Sequence, residues 1–504
     1  MNEKSTIERK GKVIRRGTEI QGEPVEVLKK RSKNLLISMI LITALVTSFA
    51  YSGGVEKMDV FKDRRMRLMQ TMEGDGIGVF RTENFNQDFF YLTGIDAGPA
   101  ALILLPEDSR SILFLQPQRP AQITWVGKKP SLDEAAALYD MDEVYPVNDL
   151  ETSLGRLIQG KKRIYCDLSD EKLSEIVLRW IKRPFGERPS VVVNPQPQIH
   201  AMRLMKDDVE IAEIRESCRI TCEALKEVMR AAEPGMYEYE LEAVIEYVFR
   251  TSGARGPGFP SIVGSGPRST YLHYEANNHR TEDGDLVVMD VGAMVDRYTA
   301  DVTRTMPVNG RFSPEQKDIY EAVLKSQVAA VAAIRPGKGL YEIHKTSVEI
   351  LKDELFRLGL MTDRDSDWQL SVWLMYNTNH WIGLDVHDVG GRGPNDGVGT
   401  ILKPGMILTV EPGLYIGEHI LSNLPAILGR RVKKEEISAF IDKVRPAVLK
   451  YLNIGVRIED DVLVTEAGGE NLSASAPKNG GGYRGLDERK KSNPALKVDF
   501  ERGS

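Results

Sequence analysis

Two aspartates lie in apolar runs that predict a β-hairpin: Asp290 in the run 286–293 and Asp301 in the run 298–305. If the turn is centred between Val295 and Asp296, the two aspartates are directly opposite each other, with Cβ atoms about 4.5–5.5 Å apart on one face. Opposed carboxylates repel, so this pairing requires a cation or a shared proton. The alternative is that one aspartate belongs to the turn and the register differs.

Three later segments add side chains of related chemistry. His380 and His387 occur in HWIGLDVHDVG, and Glu411 ends the apolar run LTVEPG. In GVRIEDDV, the two-residue period of a strand places Arg457 and Glu459 on one face. Each histidine or glutamate alone has an ordinary structural explanation, but charges within apolar strands are costly to bury singly. Their number favours one shared site.

Charge balance favours a pair of divalent cations as the cofactor. The side chains concerned are Asp290, Asp301, Glu411 and Glu459, which bring four negative charges, and neutral His380. A ligand set dominated by carboxylates suits Mn²⁺, Co²⁺ or Zn²⁺ rather than metals that seek thiolates. Two ions about 3.5–4 Å apart hold a nucleophilic hydroxide and polarise a carbonyl oxygen, which is the chemistry of a hydrolase.

These segments resemble the pita-bread metallopeptidases, most closely aminopeptidase P (Xaa-Pro aminopeptidase) and its sister prolidase. The resemblance rests on MDVGA, ADVTRT, HWIGLDVHDVG, VEPGLYI and GVRIEDDVLVT, and Arg81–Gly94 is similar to the aminopeptidase P N-terminal domain. It implies an α/β N-terminal domain followed by an α+β pita-bread catalytic domain. The metal ligands that it implies are Asp290, Asp301, His380, Glu411 and Glu459, with two divalent ions, manganese first and cobalt or zinc as alternatives.

The resemblance also implies roles around the ligands. His273 matches a histidine that lines the substrate pocket, with an ordinary loop histidine as the alternative. His387 matches the histidine that hydrogen-bonds the scissile carbonyl or the tetrahedral intermediate, and Arg457 matches an arginine that orients the carboxylates. Glu411 is expected to shuttle a proton as well as to bind metal. Tyr376 stands where relatives usually carry a histidine, which leaves the choice between longer peptides and dipeptides open.

The resemblance therefore implies a metal-dependent exopeptidase that hydrolyses the N-terminal Xaa-Pro peptide bond with a hydroxide bridged by two metal ions. Its expected substrates are peptides with proline in the second position. Prolidase, which cleaves Xaa-Pro dipeptides, is the first alternative, and methionine aminopeptidase usually lacks a large N-terminal domain. A non-catalytic pita-bread binding protein would have lost ligands that are intact here. A metal-free amidinohydrolase of the creatinase type would not need these carboxylates together.

The elements that must position these residues alternate in the first part of the chain, which is typical of an α/β layer. The predicted strands are 77–80, 100–105, 111–116, 163–168 and 191–194, and the predicted helices are 132–139 and 171–181. We expect this layer to close at Pro195-Gln196-Pro197, a link that neither a helix nor an inner strand would tolerate. Helices predicted at 207–232, 237–251, 314–334, 341–358 and 433–452, with strands and turns between 258 and 465, indicate α+β.

Composition is typical of a globular enzyme. The 504 residues are 41% hydrophobic and 28% charged, with a formal net charge of −6 that gives no positive field for nucleic acid. The chain has three cysteines, Cys166, Cys218 and Cys222, which are too few for a disulfide framework. We expect no zinc site with thiolate ligands. We expect Cys218 and Cys222 to pack within a helix. The predicted domains are 1–55, 56–200 and 201–477, followed by a disordered tail at 478–504.

An uncharged segment near the N-terminus indicates targeting. Leu35–Ala50 is almost continuously apolar and, as a helix, would span about 24–30 Å. The preceding Lys29–Lys33 is the positive flank that stays in the cytoplasm. We expect residues 35–52 to be a membrane anchor or a cleaved signal, with the catalytic domain outside the cytoplasm. A core helix of a cytoplasmic protein is the alternative, and a homo-oligomer is left open.

Overall fold

The structure, a computed structural model, describes residues 60–183 and 186–478. The predicted signal or anchor at 35–52 lies outside these residues, as does the predicted tail beyond residue 478. Among the residues described, the structure contains no helix that is both long and apolar enough to cross a membrane.

The first part of the described chain is an α/β layer. Its strands are β1 (Gly76–Thr82), β2 (Ala100–Leu105), β3 (Arg110–Leu115), β4 (Glu143–Pro146), β5 (Arg163–Tyr165) and β6 (Val191–Val193). Its helices are α1 (60–70), α2 (Gln87–Thr93), α3 (Pro120–Val126), α4 (Leu132–Leu138), α5 (Leu150–Leu157) and α6 (Glu171–Ile181). The strands form one mixed sheet in the order β4-β3-β2-β1-β5-β6, in which β1–β2 and β2–β3 are antiparallel and the other pairs are parallel. The predicted α/β class is confirmed.

Helix α7 (Gln196–Leu204) begins where the sequence predicted a linker. Pro195 is the residue before the helix, and Pro197 lies in its first turn. The N–H groups of a first turn have no partner within the helix, so a proline there removes no hydrogen bond. The prediction that Pro195-Gln196-Pro197 would exclude a helix was therefore wrong.

The second part combines longer helices with small antiparallel sheets. The helices are α8 (Asp208–Ala231), α9 (Glu238–Thr251), α10 (Pro314–Ala333), α11 (Leu340–Arg357), α12 (Asp367–Trp373), α13 (Ile420–Leu428) and α14 (Lys434–Lys450). The strands are β7 (Ile262–Ser265), β8 (Leu286–Val291), β9 (Met294–Val295), β10 (Tyr298–Thr299), β11 (Val302–Pro307), β12 (Ile407–Val410), β13 (Gly413–Ile416), β14 (Ile454–Arg457), β15 (Asp460–Thr465) and β16 (Gly468–Asn471). They pair as β11-β8-β7, β12-β15-β16, β13-β14 and β10-β9. The predicted α+β class is confirmed.

Strand β8 shows how the core turns a charged side chain toward the site. Val287, Met289 and Val291 are fully buried in one apolar cluster that also contains Ile220 of α8. Side chains alternate across a strand, so Asp290 lies on the opposite face from these three residues.

Candidate metal centre

The hairpin of β8 and β11 carries the two aspartates in a register that differs from the predicted one. Asp290 pairs with Thr303. The turn is centred between Asp296 and Arg297, whose φ angles are 44° and 76°. Two consecutive residues in the left-handed region form the tight turn that is typical of a β-hairpin. The prediction that Asp290 lies directly opposite Asp301 was therefore wrong by two residues. A shift of two residues keeps a side chain on the same face, so the aspartates are diagonal neighbours.

Close contact between the two strands brings Asp301 to the site. In the hairpin register, Asp301 is opposite Gly292, in a short break before β11. A Cβ on Gly292 would lie 1.8 Å from the carbonyl oxygen of Ala300, so a side chain has no room there. The backbone N–H of Asp301 donates a hydrogen bond to Oδ2 of Asp461 at 2.9 Å. The backbone around Asp301 is thus fixed from both sides.

The segment before β12 places His380 beside Glu411. The N–H of Thr409 donates to the carbonyl of His380 at 2.8 Å, and the N–H of Glu411 donates to the carbonyl of Thr378 at 2.9 Å. These bonds align the two segments as neighbouring extended chains. His380 and Glu411, 31 positions apart in sequence, therefore present their side chains together.

The imidazole of His380 directs its Nε2 at three carboxylates. Its Nδ1 lies 3.0 Å from the carbonyl oxygen of Trp381, which can only accept, so Nδ1 carries the proton. In the neutral imidazole the lone pair is then on Nε2, which lies 3.4 Å from Asp301 Oδ2, 3.5 Å from Glu411 Oε1 and 3.9 Å from Glu459 Oε1. A lone pair facing carboxylate oxygens is the arrangement of a histidine that binds a metal ion.

Arg457 and Glu459 lie on the same side and share a contact. The hydroxyl of Thr303 donates to Glu459 Oε2 at 2.6 Å and accepts from Arg457 Nε at 3.0 Å. Arg457 also forms an ion pair with Asp290 through Nη2 and donates to the Tyr415 hydroxyl through Nη1 at 2.9 Å. The guanidinium thus fixes one oxygen of Asp290.

The five residues Asp290, Asp301, His380, Glu411 and Glu459, here called the five-residue cluster, carry more negative charge than the protein neutralises. Asp290 Oδ1, Asp301 Oδ1 and Glu459 Oε1 are buried and accept no hydrogen bond from any described residue. Burial, followed by the charge of Asp290, raises the pKa of Asp301 well above its usual range. Burial, followed by the charge of Asp301, does the same to Glu459. Burial also raises the pKa of Glu411 to about 7, although His380 and Arg457 oppose the shift.

This donor set fits divalent cations. Ligand atoms of Asp301, His380 and Glu459 lie within 4.8 Å of one another. Glu411 Oε1 lies 3.5 Å from His380 Nε2, and Asp290 is close enough to Asp301 for its charge to raise the pKa of that carboxyl. Two divalent ions would neutralise the four carboxylates, and carboxylates with one imidazole suit borderline metals such as Mn²⁺, Co²⁺ or Zn²⁺.

Two further histidines lie on the open side of the cluster. His387 and His273 are both exposed, and the ring of His387 meets that of His380 edge-on with centroids 4.5 Å apart. Partial burial, followed by His380 and His273, lowers the pKa of His387, so its imidazole is neutral at neutral pH. The carbonyl of Leu272, beside His273, accepts from Arg457 Nη1 at 3.4 Å. The structure thus places both predicted histidines next to the cluster.

Tyr376 directs its hydroxyl at the protein. It donates to the carbonyl oxygen of Glu411 at 3.0 Å and lies 2.9 Å from the Tyr415 hydroxyl. A phenol has one proton, so Tyr415 is the donor in the second bond. A chain of hydrogen bonds therefore runs from Arg457 through Tyr415 and Tyr376 to the backbone of Glu411.

Asp461 is a buried carboxyl beside Asp301 for which the sequence predicted no role. Its Oδ2 accepts from the N–H of Asp301 at 2.9 Å and from the thiol of Cys218 at 3.2 Å. Burial raises the pKa of Asp461 to about 7. Cys218 and Cys222 are buried in α8, as predicted. The signal for Asp461 was its place two residues after Glu459, because alternation puts both side chains on one face.

Two family models match the chain. The model of metallopeptidase family M24 matches residues 212–466, and the model of the aminopeptidase P N-terminal domain matches residues 61–165. The chain belongs to metallopeptidase family M24. Its resemblance to aminopeptidase P is thereby confirmed, as are the pita-bread fold and the binding of divalent metal that membership of this family implies.

Known relatives share most of the length of this M24 chain. It is 34% identical to a Xaa-Pro aminopeptidase of Escherichia coli over 83% of the chain and 95% of that protein. It is 32% identical to a Xaa-Pro aminopeptidase of Haemophilus influenzae over 85% of the chain and 97% of that protein. Among solved structures, aminopeptidase PepP of Pseudomonas aeruginosa superposes with a TM-score of 0.76 at 33% identity, covering 86% of this chain and 99% of that one.

Proposed function

We propose that the chain is a metal-dependent Xaa-Pro aminopeptidase that removes the first residue from peptides with proline in the second position. The observation that carries the proposal is the convergence of the five-residue cluster in a chain of family M24. The names of the relatives support the proline preference, since the chain matches one Xaa-Pro aminopeptidase over 95% of its length.

Each residue around the cluster has a separate role in the proposed reaction. When bound, two divalent cations lower the pKa of water and polarise a carbonyl oxygen. Glu411 accepts a proton from the attacking water and passes it to the leaving nitrogen. The neutral imidazole of His387 donates an N–H to the carbonyl oxygen as negative charge develops there. Arg457 orients Asp290, and His273 lines the substrate pocket.

The N-terminal layer supports the choice of an exopeptidase. Arg297, in the turn of the metal-site hairpin, packs its guanidinium 4.1 Å from the ring centroid of Phe85 and donates to Asp96 at 3.1 Å. Gln87 donates to Asp385, two residues before His387, at 2.5 Å. Contacts with both the hairpin and the His387 loop close one side of the site. A free chain end enters such a site more readily than a loop of a folded protein.

Manganese is the proposed native metal, with cobalt or zinc as alternatives. Four carboxylates and one imidazole are hard to borderline ligands, which support these ions over metals that prefer thiolates. Metal analysis of the protein purified without added metal tests this choice. Reconstitution of the stripped protein with each ion then ranks the three.

Release of the first residue from Xaa-Pro-Xaa peptides, with and without Mn²⁺, tests the proposed reaction. We expect cleavage that depends on metal and is lost when proline in the second position is replaced by alanine. Faster cleavage of Xaa-Pro dipeptides than of tripeptides would favour prolidase. Failure to cleave any Xaa-Pro bond with metal present would overturn the proposal.

We also propose that residues 35–52 act as an anchor or signal that places the catalytic domain outside the cytoplasm. The apolar run and its positive flank support this proposal. Cell fractionation and the mass of the mature N-terminus test it. A full-length chain recovered without membranes would overturn it.

A homo-oligomer is a separate proposal. All residues of α3 are exposed, including the large apolar side chains of Ile123, Trp125 and Val126, and exposed apolar side chains grouped in one short helix support contact with another chain. Light scattering coupled to size-exclusion chromatography measures the mass directly. A monomer in which Trp125→Ser changes nothing would overturn the proposal.

A further inference from the structure

The loop that carries His387 has neither helix nor strand of its own. Its backbone bonds include those from Asp388 N–H to the Trp381 carbonyl at 2.9 Å and from Gly383 N–H to the Asp385 carbonyl at 3.1 Å. A loop without a regular ladder depends on side-chain contacts for its position. Asp385 and Asp388, on either side of His387, make such contacts.

One buried arginine binds both of these carboxylates. Arg203 of α7 donates through Nη2 to Asp385 at 2.8 Å and to Asp388 at 2.6 Å, and its side chain is only 3% exposed. Lys206 donates to the second oxygen of Asp388 at 3.0 Å and is fully buried. Asp388 therefore has one cation on each oxygen.

The same guanidinium reaches the N-terminal layer. Arg203 Nη1 donates to Asp88 of α2 at 2.7 Å, and Gln87 of α2 donates to Asp385 at 2.5 Å. The other oxygen of Asp88 lies 3.2 Å from His200 Nε2. Helix α2 and the His387 loop are thus attached to one side chain.

Close packing leaves this arrangement little freedom. A Cβ on Gly383 would lie 2.2 Å from Asp388 Oδ2 and 3.1 Å from the Lys206 side chain. Burial opposes ionisation of Asp388, but Lys206 and Arg203 hold its pKa below its usual range. The carboxylate is therefore charged and held in one position, one residue from His387.

We propose that Arg203 and Lys206 are positioning residues that fix the His387 loop against α2, so that the N-terminal layer sets the orientation of His387. The proposal rests on the proposed function, in which His387 donates a hydrogen bond to the reacting carbonyl. An interaction that strengthens in the transition state affects kcat more than KM.

Arg203→Lys tests the arrangement because lysine keeps the charge but loses the planar fork that binds several carboxylates. We expect kcat for a Xaa-Pro-Xaa peptide to fall by about 10²-fold, as for a displaced catalytic group, with KM and bound metal near wild type. The matched control is Arg64→Lys. Arg64 is equally buried, at 3%, and pairs with Asp207 at 2.7 Å and Glu210 at 3.2 Å; it contacts Tyr91 of α2 but none of the carboxylates that hold the His387 loop. We expect it to lose stability but keep its kcat.

A double variant identifies the residue through which Arg203 acts. If Arg203 acts through His387, adding Arg203→Lys to His387→Ala lowers turnover no further. Losses that multiply would overturn the proposal. If Arg203→Lys does not fold, Asp385→Asn replaces it, because this side chain is 33% exposed and is only one of the partners of Arg203. We expect that adding Asp385→Asn to His387→Ala likewise lowers turnover no further.

Hydrogen exchange separates this proposal from the proposed function. The amides of Gly383 and Asp388 should exchange faster in Arg203→Lys than in the wild type or in Arg64→Lys. Equal exchange in all three proteins would overturn the positioning role, whatever the reaction catalysed. A wild type that cleaves no Xaa-Pro bond would overturn the proposed function, while the exchange rates still decide whether Arg203 fixes the loop.

Discussion

Glu459 and Asp460 are neighbours in sequence but belong to regions of opposite charge balance. Glu459 belongs to the five-residue cluster, where its Oε1 is buried and accepts no hydrogen bond from the described residues. Asp460 faces the other way. It accepts from Arg304 at 2.7 Å, from Gln327 at 2.6 Å and from Ser473 at 2.7 Å, and it forms an ion pair with Lys478. Although burial opposes ionisation, Arg304 and Lys478 hold its pKa well below its usual range.

The difference shows in which of the two regions the protein alone neutralises the buried carboxylate charge. The Asp460 region (Asp460, Arg304, Gln327, Ser473 and Lys478) contains its own cations and donors, so its carboxylate is stable within the protein. The five-residue cluster contains carboxylates and a histidine lone pair whose repulsion the protein does not neutralise. Removing a charge should therefore have opposite effects on stability in the two regions, and only the five-residue cluster should depend on metal.

The largest effect is expected on turnover in the five-residue cluster. Replacing Glu459 or Asp290 with alanine should remove a metal ion and lower kcat by about 10³-fold or more, as for loss of a group that stabilises transition-state charge. Metal analysis and kinetics on the same sample measure both. His387→Ala is the matched comparison, since it should lower the rate and leave metal content near normal. Loss of both metal ions from His387→Ala would contradict this division.

The next effect is expected on stability in the Asp460 region. Asp460→Asn leaves buried Arg304 without its carboxylate, which should cost about 3–5 kcal/mol in the free energy of unfolding. Urea denaturation of the metal-free protein measures the loss. In the same assay, Glu459→Gln removes a charge from a repulsive group and should not lower stability. Equal losses in the two variants would erase the contrast between the regions.

A third effect should follow pH. In the metal-free protein, the pKa of Glu411 is raised to about 7 by burial, so the native state holds a proton that the unfolded state releases near its ordinary value of 4.5. The resulting stability is present below about pH 4.5 and is lost as pH rises through about 7, a change of about 3 kcal/mol for this one group. The pKa values of Asp301 and Glu459 are raised in the same direction.

Bound metal replaces those protons, so a chelator should destabilise the protein more at pH 8 than at pH 5. Thermal unfolding with and without chelator at both pH values checks the sign. The Asp460 region contributes the same free energy to unfolding with and without chelator. Its contribution therefore cancels when the two measurements are compared. A chelator effect that is the same at both pH values would show that the cluster carboxylates do not take up protons in place of metal.

The sequence predicted the cluster better than its surroundings, for a physical reason. Asp290, Asp301 and Glu459 are charged residues within apolar strands, a pattern that indicates burial by itself. Their exact register was not predictable, because neither Asp296 nor Arg297 is the glycine that usually marks a left-handed turn. The two-residue error kept the correct face, since side chains repeat with a period of two.

Residues held by long-range contacts were not predictable in the same way. Arg203 pairs with Asp388 across 185 positions, and no local pattern relates them. Helix α13 contains Pro425, and an interior proline normally argues against a helix. Packing of neighbouring elements, rather than local pattern, decides these features.

The smallest effect is expected at a neutral side chain beside the five-residue cluster. Tyr376 ends the hydrogen-bond chain that begins at Arg457, and it donates to the backbone of Glu411 at 3.0 Å. Tyr376→Phe removes two neutral hydrogen bonds, one to the Glu411 carbonyl and one from the Tyr415 hydroxyl, each worth about 1 kcal/mol, so turnover should fall by no more than about 30-fold with metal content unchanged. Kinetics with tripeptide and dipeptide substrates check this. Because protein partners already occupy the hydroxyl, the ratio of the two rates should stay constant, whereas a changed ratio would make Tyr376 a determinant of substrate length.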